Sequence, residues 1–288
     1  MIKKLIIKII LKFYSFFDFA NNFTIKIEIA KNKYITFHVF DKQTRVRAQT
    51  SLDKEKDTIE WIKTFEDNAL FLDVGAHMGI FSLYSAKLKN ANVVAIEPSL
   101  VNLSTLIKNI LLNDLSDKIV VSSVGVSNKN EYENFFIPHD PRENLRGLTG
   151  GMQKEPTNHR DESKMKNFFH HKVNLYTIDN LRKEFSSFNY IKIDIDGGEY
   201  EALEGAEETL KDKNLKSVLI ELNKYDKNFD KILNIFKKNN FILDLKLQKL
   251  SHISIKKNIK KKNMIQNYIF NRMQNTSSVI DKEYHERI

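Results

Sequence analysis

From Ala69 onward the sequence alternates short apolar runs with helical patterns. ALFLDV (69–74) precedes a helix over 80–88, NVVAI (92–96) a helix over 100–112, and a strand follows over 118–124. The alternation resumes with YIKIDI (190–195), a helix over 200–210, SVLIEL (217–222) and a helix over 229–238. Strands this apolar must be covered on both faces, and strand–helix repetition supplies the cover. The pattern therefore predicts an α/β fold with a mostly parallel sheet wrapped by helices. Residues 241–247 and 266–270 are expected to close the sheet as an antiparallel pair. Such a sheet binds ligands at the carboxyl ends of its strands, where the strand order reverses.

Upstream, FTIKIEI (23–29) and YITFHVF (34–40) alternate with period two around AKNK, a hairpin signal. Asp53–Phe65 reads as a lead-in helix with Ile59, Trp61, Ile62 and Phe65 available for its apolar stripe. Residues 126–176 are polar and hold three of the four prolines and four of the eight histidines, including His170 and His171. A segment that long is expected to be an insertion lining or covering a substrate site. The chain thus divides into an N-terminal helix, hairpin and lead-in helix (1–66), a main domain (67–272) carrying the insertion, and a tail (273–288).

The absence of cysteine excludes disulfides, zinc fingers and a thiol nucleophile. The net charge of +9 is uneven: residues 1–50 carry +7, residues 246–262 another +7, and the rest of the chain −5. The recognised nucleic-acid motifs are absent, so the basic ends read as solvated lysines, and no nucleic acid partner is expected. Residues 1–20 are apolar but interrupted by Lys3, Lys4, Lys8, Lys12 and Asp18. They lack the ~18-residue uncharged run of a membrane span and the clean core and cleavage site of a signal peptide. As a helix they would place Ile2, Ile6, Ile9, Ile10, Phe13 and Phe17 mostly on one side. That stripe suits a packing or homodimer contact first, and peripheral docking on a membrane second. The expected location is the cytoplasm, or the inner face of a membrane if that helix docks there.

Only nine glycines occur, and Gly75 and Gly79 lie in FLDVGAHMGIFS between a strand and a helix. Glycines there allow a sharp turn and close approach of a ligand, while the new helix presents free N–H groups. A dinucleotide fingerprint would read G-x-G-x-x-G; this stretch reads G-x-x-x-G, with Asp73 two residues before the first glycine. An acid at the strand end repels a pyrophosphate and suits a cationic group, such as the amino-acid end of S-adenosylmethionine. Glu97 closes the next strand, where a carboxylate can accept both hydroxyls of a ribose.

FLDVGAHMGIFSLYSA, VVAIEPSLVNLSTLIKNILLN, YIKIDIDGGEYEALEGA, SVLIELN and NYIFNR together resemble the FkbM family of S-adenosylmethionine-dependent methyltransferases, over roughly residues 45–272. The resemblance implies a Rossmann-like seven-strand methyltransferase sheet and methyl transfer, usually to a hydroxyl of a sugar, polyketide or similar metabolite. It implies that Asp73, Gly75, Ala76 and Gly79 surround the methionine part of the cofactor and that Glu97 holds the ribose. His77 stands where the family usually has asparagine; a neutral imidazole can still hydrogen-bond there. Asn102 and Asn109 match polar positions that fix the helix and loop.

In KIDIDGGE, Lys192, Asp194 and Asp196 point to one side of a strand and the isoleucines to the other. Charged groups inside an apolar strand are costly unless paired. They therefore mark a site or a structural ion pair with Lys192. Asp194 and Asp196 are the candidate catalytic residues, as general base or as orienters of the acceptor hydroxyl, which is a poor nucleophile until its proton has somewhere to go. The family often has Glu at position 196. Asp194, Asp196 and Glu221 also offer the hard oxygens that Mg²⁺ takes, although no metal is part of the main reading. His170 and His171 are an alternative base.

The expected function is S-adenosylmethionine-dependent O-methylation of a small-molecule or glycan acceptor, a sugar or glycolipid precursor. Two readings compete: an NAD-dependent Rossmann oxidoreductase, and a non-catalytic cofactor-binding protein that docks a membrane or partner through its basic ends.

Overall fold

The computed structural model describes residue 7 and residues 23–139, 167–195, 197–251 and 264–273. The expected helix over residues 1–20 lies outside these apart from Ile7, as do Asp196 and the middle of the insertion.

A seven-stranded sheet runs through the molecule. Its strands are β3 (Leu70–Val74), β4 (Asn92–Ile96), β5 (Ile119–Ser122), β9 (Tyr190–Ile193), β10 (Ser217–Asn223), β11 (Phe241–Leu243) and β12 (Ile265–Arg272), in the spatial order β11-β12-β10-β9-β3-β4-β5. β3, β4, β5, β9 and β10 are parallel, and β12 runs antiparallel to both β10 and β11. The chain steps from β3 to β4 to β5 on one side, then returns to β9 and β10 on the other. The reversal falls between β3 and β9, so the carboxyl ends of those strands flank the crevice.

The alternation of side chains along these strands assigns each to one of two cores. Leu72 and Val74 of β3 join Ile191 and Ile193 of β9, Val218, Ile220, Phe236 and Phe270 on one face. Phe71 and Tyr190 join Trp61, Phe65, Leu83 and Leu106 on the other. Asp73 and Lys192 are directly paired in register and belong to this second face by their place in the alternation.

The expected hairpin is present as β1 (Phe23–Ala30) and β2 (Lys33–Val39), antiparallel, with Ile35, Phe37 and Val39 buried in the second core. The lead-in is two helices, α1 (Lys42–Lys54) and α2 (Lys56–Lys63), where the sequence predicts one over 53–65. α1 begins on a capping box in which Asp41 accepts from the Thr44 N–H at 2.7 Å. α2 carries Trp61, whose Nε1 donates to Ser217 Oγ at 2.9 Å, and the following Phe65 stacks on Tyr190 with centroids 3.8 Å apart. These contacts lock the N-terminal segment to β9 and β10.

Helices α3 (Ile80–Lys89), α4 (Leu100–Leu112), α5 (Ile178–Phe185) and α8 (Phe229–Lys238) cover the sheet. The helix expected over 200–210 is two, α6 (Glu199–Glu204) and α7 (Glu207–Lys211). They break at Gly205, where any side chain would overlap the Ser127 carbonyl oxygen. The strand expected to run to Leu247 ends at Leu243 and gives way to the short helix α9 (Leu245–Gln248), because Asp244 accepts from the N–H groups of Lys246 and Leu247.

The insertion contains regular structure. β7 (Tyr132–His139) and β8 (Asn167–Tyr176) pair antiparallel, and β6 (Gly125–Val126) joins β8 to make a three-stranded sheet. Among the described residues no helix is long and apolar enough to cross a membrane.

Candidate active site

The β3–α3 turn is shaped by glycine at two points. Gly75 has φ +84°, and a Cβ there would overlap the Asp194 carbonyl oxygen. The turn after β3 and the turn after β9 therefore touch through backbone alone. Gly79, at φ +85°, starts α3 where a side chain would strike Leu83 and Leu106. The amides of Gly75 and Ala76 both donate to the Ile96 carbonyl, at 3.0 and 2.9 Å, tying the turn to the end of β4.

Glu97 completes that tie. Its Oε2 accepts from the His77 N–H at 2.8 Å and its Oε1 from the Ser99 N–H at 2.8 Å and from Asn102 Nδ2 at 3.4 Å. The side chain is almost fully enclosed, and burial pushes its carboxyl up to about 7 against the opposing pull of the Ser99 and His77 amides. His77 adopts φ +51°, and its Nδ1 accepts from the Met78 N–H at 2.8 Å, which leaves the neutral ring's proton on Nε2. Asn109 holds the turn from behind: its Nδ2 donates to the Met78 carbonyl at 2.8 Å and its Oδ1 accepts from the His38 N–H at 2.7 Å. One buried asparagine thus couples the turn to the N-terminal hairpin.

Across the crevice, Lys192 is fully buried and donates to Asp194 Oδ2 at 2.8 Å. Burial alone would lower this lysine, but Asp194, Asp73 and Glu55 outweigh it and hold the ammonium above the ordinary lysine range. Asp73 is 1% exposed; its Oδ2 accepts from Ser82 Oγ at 2.5 Å, while its Oδ1 has no hydrogen-bond partner among the described residues. Burial raises the Asp73 carboxyl, and Lys192 pulls it back. Asp194 pairs with the ammonium, and the charges of Asp73 and Glu55 also act on it.

Glu55 is a member of this group with no counterpart in the sequence reading. It sits at the break between α1 and α2 and accepts from Asn267 Nδ2 on β12 at 2.9 Å. Burial, and then Asp194, raises its carboxyl. Its sequence surroundings, DKEKD, look like any solvated charge run; only the partner 212 positions away gives it a place.

β9 stops at Ile193, so Asp194 lies just past the strand, contrary to the expected end at 195. Beyond the β9–α6 and β10–α8 turns lies a cavity of about 350 Å³ lined by Gly198, Glu199, Tyr200, Glu221, Asn223 and Phe229, among others. Glu199 opens α6 after Gly198, which has φ +108°, and its Oε1 accepts from the Gly197 N–H at 2.9 Å. Burial raises its carboxyl to about 7, opposed by backbone N–H groups and reinforced by Asp194. The sequence reading gives Glu199 no role, although an acid directly after two glycines at a helix start was a usable signal.

The structure therefore brings together Asp73, Gly75, Ala76, His77, Gly79 and Glu97 on one side of the crevice and Asp194 on the other; Asp196 lies outside the described residues. His171 Nε2 is 3.1 Å from the Pro98 carbonyl, so the insertion hairpin folds against the end of β4, whereas His170 points to solvent. Among the described residues no three His, Asp or Glu side chains come together as metal ligands.

Solved structures similar to the chain include the following three. Methyltransferase FkbM from Methylobacillus flagellatus KT is 16% identical, with TM-score 0.45 over 71% of this chain; the chain spans 44% of that protein's length. M. jannaschii TYW2 in complex with AdoMet is 13% identical, with TM-score 0.43 over 87% of each chain. Precorrin-6y C5,15-methyltransferase from Geobacter metallireducens GS-15 is 11% identical, with TM-score 0.42 over 82% of this chain and 95% of its own. No curated protein matches the chain in sequence. The methyltransferase FkbM domain matches residues 73–243, more than half of the sequence, beginning at Asp73 and ending with β11. The chain belongs to the FkbM methyltransferase family.

Proposed function

We propose that the protein is an S-adenosylmethionine-dependent O-methyltransferase acting on a hydroxyl of a sugar, glycan or glycolipid precursor. The observation that carries the cofactor assignment is the buried acidic strand end. Asp73 Oδ1 is enclosed without a hydrogen-bond partner among the described residues, within reach of the charges of Lys192 and Asp194. A pyrophosphate would be repelled there, whereas the ammonium and sulfonium of S-adenosylmethionine fit.

Gly75, Ala76 and Gly79 would frame the methionine part. Glu97 would take one ribose hydroxyl, since a carboxylate accepts about four hydrogen bonds and three protein donors reach this one. The cofactor supplies an electrophilic methyl group; the chain's task is to align an acceptor oxygen with it, and alignment of this kind is worth several kcal/mol of barrier. Support for the hydroxyl class comes from the family resemblance and from a cavity lined by carboxylates and an amide beside Asp194. Cytoplasmic placement, with residues 1–20 touching a membrane or a second copy, belongs to the same proposal.

Calorimetry with S-adenosylhomocysteine and with NAD tests the cofactor. Micromolar or tighter binding of the first and none of the second is expected; the reverse would make the protein an oxidoreductase. Transfer of a labelled methyl group to a pool of bacterial sugars, with the product resistant to mild base, then tests the hydroxyl assignment.

A further inference from the structure

We propose that Glu199 is the general base that takes the proton of the acceptor hydroxyl, a role the sequence reading gives to Asp194 or Asp196. The inference rests on the methyltransferase reading and adds to it the acceptor's binding place and the destination of its proton.

Asp194 Oδ2 is engaged by the buried Lys192 ammonium at 2.8 Å. Asp73 is on the far side of the crevice, bound to Ser82. Glu55 is held by Asn267 beneath the same group. Glu199 differs from all three. It lines the cavity beyond β9 and β10, it is oriented by the Gly197 amide, and no cation among the described residues forms an ion pair with it.

Asp194 at the end of β9 acts on Glu199 through its charge, and Glu201 on α6, Glu221 on β10 and the exposed Asp226 and Lys227 line the same cavity. Burial raises its proton affinity most, and the charge of Asp194 adds to it. A base is most effective when its proton affinity lies near the operating pH, and burial brings this carboxyl to about 7. In the transfer, the acceptor oxygen forms its bond to the methyl carbon while the carbon–sulfur bond breaks and leaves its electron pair on sulfur. The hydroxyl proton passes to Glu199 and from there to water.

The test reads the carboxyl itself. The full chain, labelled with carbon-13 at glutamate carboxyls, is titrated by NMR as wild type, Glu199→Gln and Glu199→Asp, with and without saturating methyl α-D-glucopyranoside. The expected result is a signal with its midpoint near neutral pH, absent from both variants. Sugar should move that midpoint down by about half a unit or more, because a hydroxyl donating to the carboxylate favours its ionised form. S-adenosylhomocysteine should bind both variants as it binds wild type. A Glu199 midpoint in the ordinary glutamate range, or one that the sugar leaves in place, overturns the proposal. Absence of S-adenosylhomocysteine binding by wild type instead overturns the methyltransferase reading and leaves the titration result standing. With an acceptor in hand, Glu199→Gln should cut kcat by about 100-fold or more and remove the acid limb of its pH profile.

Discussion

On the β3–β4 side of the crevice, Glu97 accepts N–H groups from the turns on either side of it and is sealed from solvent. On the β9–β10 side, Glu199 accepts from Gly197 and lines a cavity. Burial lifts both carboxyls to about 7, so titration alone does not tell them apart. Their partners do. Glu97 is a knot holding a turn in shape, and Glu199 is a group with acceptor capacity turned toward open space. A single physical cause, desolvation, raises a turn-holding carboxyl in one half of the crevice and a cavity-lining one in the other.

The largest test of this contrast removes the charge that organises the β9 side. Lys192→Met leaves Asp73, Asp194 and Glu55 without their ammonium, and breaking a buried ion group of this kind costs about 3–5 kcal/mol. Urea unfolding should show that loss, and a loss below about 1 kcal/mol would mean the three carboxylates do not depend on Lys192.

On the other side, Glu97→Ala strands the His77 and Ser99 amides as well as the ribose. S-adenosylhomocysteine affinity should fall by about 1–3 kcal/mol in calorimetry, with global stability changed less than in the lysine variant. Unchanged affinity would remove Glu97 from the cofactor site.

Much of this division was readable from residue order. The strand-end acids Asp73 and Glu97 stand out because each follows an apolar run, and the sheet follows from those same runs. Other parts left weak signals. β8 carries the alternation of Val173 and Leu175, which pack on Phe135, but histidines and a lysine beside them mask it. α1 buries only Thr44 and Ala48, so it has no apolar stripe to find; its mark is the Asp41 cap. Glu55 has no local signal, because Asn267 reaches it from the last strand. Arg272 is similar: it donates to the carbonyls of Leu210, Asp212, Leu215 and Asn239, a set that only the folded chain assembles.

A smaller effect separates the two glutamates by pH. Ribose hydroxyls need the ionised Glu97, so below about pH 7 binding must first expel its proton. Affinity for S-adenosylhomocysteine should therefore weaken by up to about tenfold per pH unit below that value and stay level above it. Without ligand the sign reverses: the folded state holds this proton more tightly than the unfolded chain, so stability declines as pH rises from the ordinary glutamate range toward 7. In Glu97→Gln the affinity should be flat over this range and the stability slope shallower than in wild type, the remainder coming from Glu199. A binding curve unchanged between pH 6 and 8 in wild type would place the ribose elsewhere.

The smallest effect expected is at His77, the residue that departs from the family pattern. Its backbone sits at φ +51°, a region that asparagine enters more readily than most residues. Its contact with the cofactor loop is a backbone N–H given to Glu97, which any residue supplies. The side chain accepts from the Met78 N–H at 2.8 Å, and an asparagine carbonyl can take that contact over. His77→Asn should therefore change melting stability and S-adenosylhomocysteine affinity by no more than about 0.5 kcal/mol. A larger loss of affinity would mean that the Nε2 proton, which asparagine cannot place at the same distance, meets the ligand. In that case the β4 side of the crevice would hold a contact of its own beyond the carboxylate of Glu97.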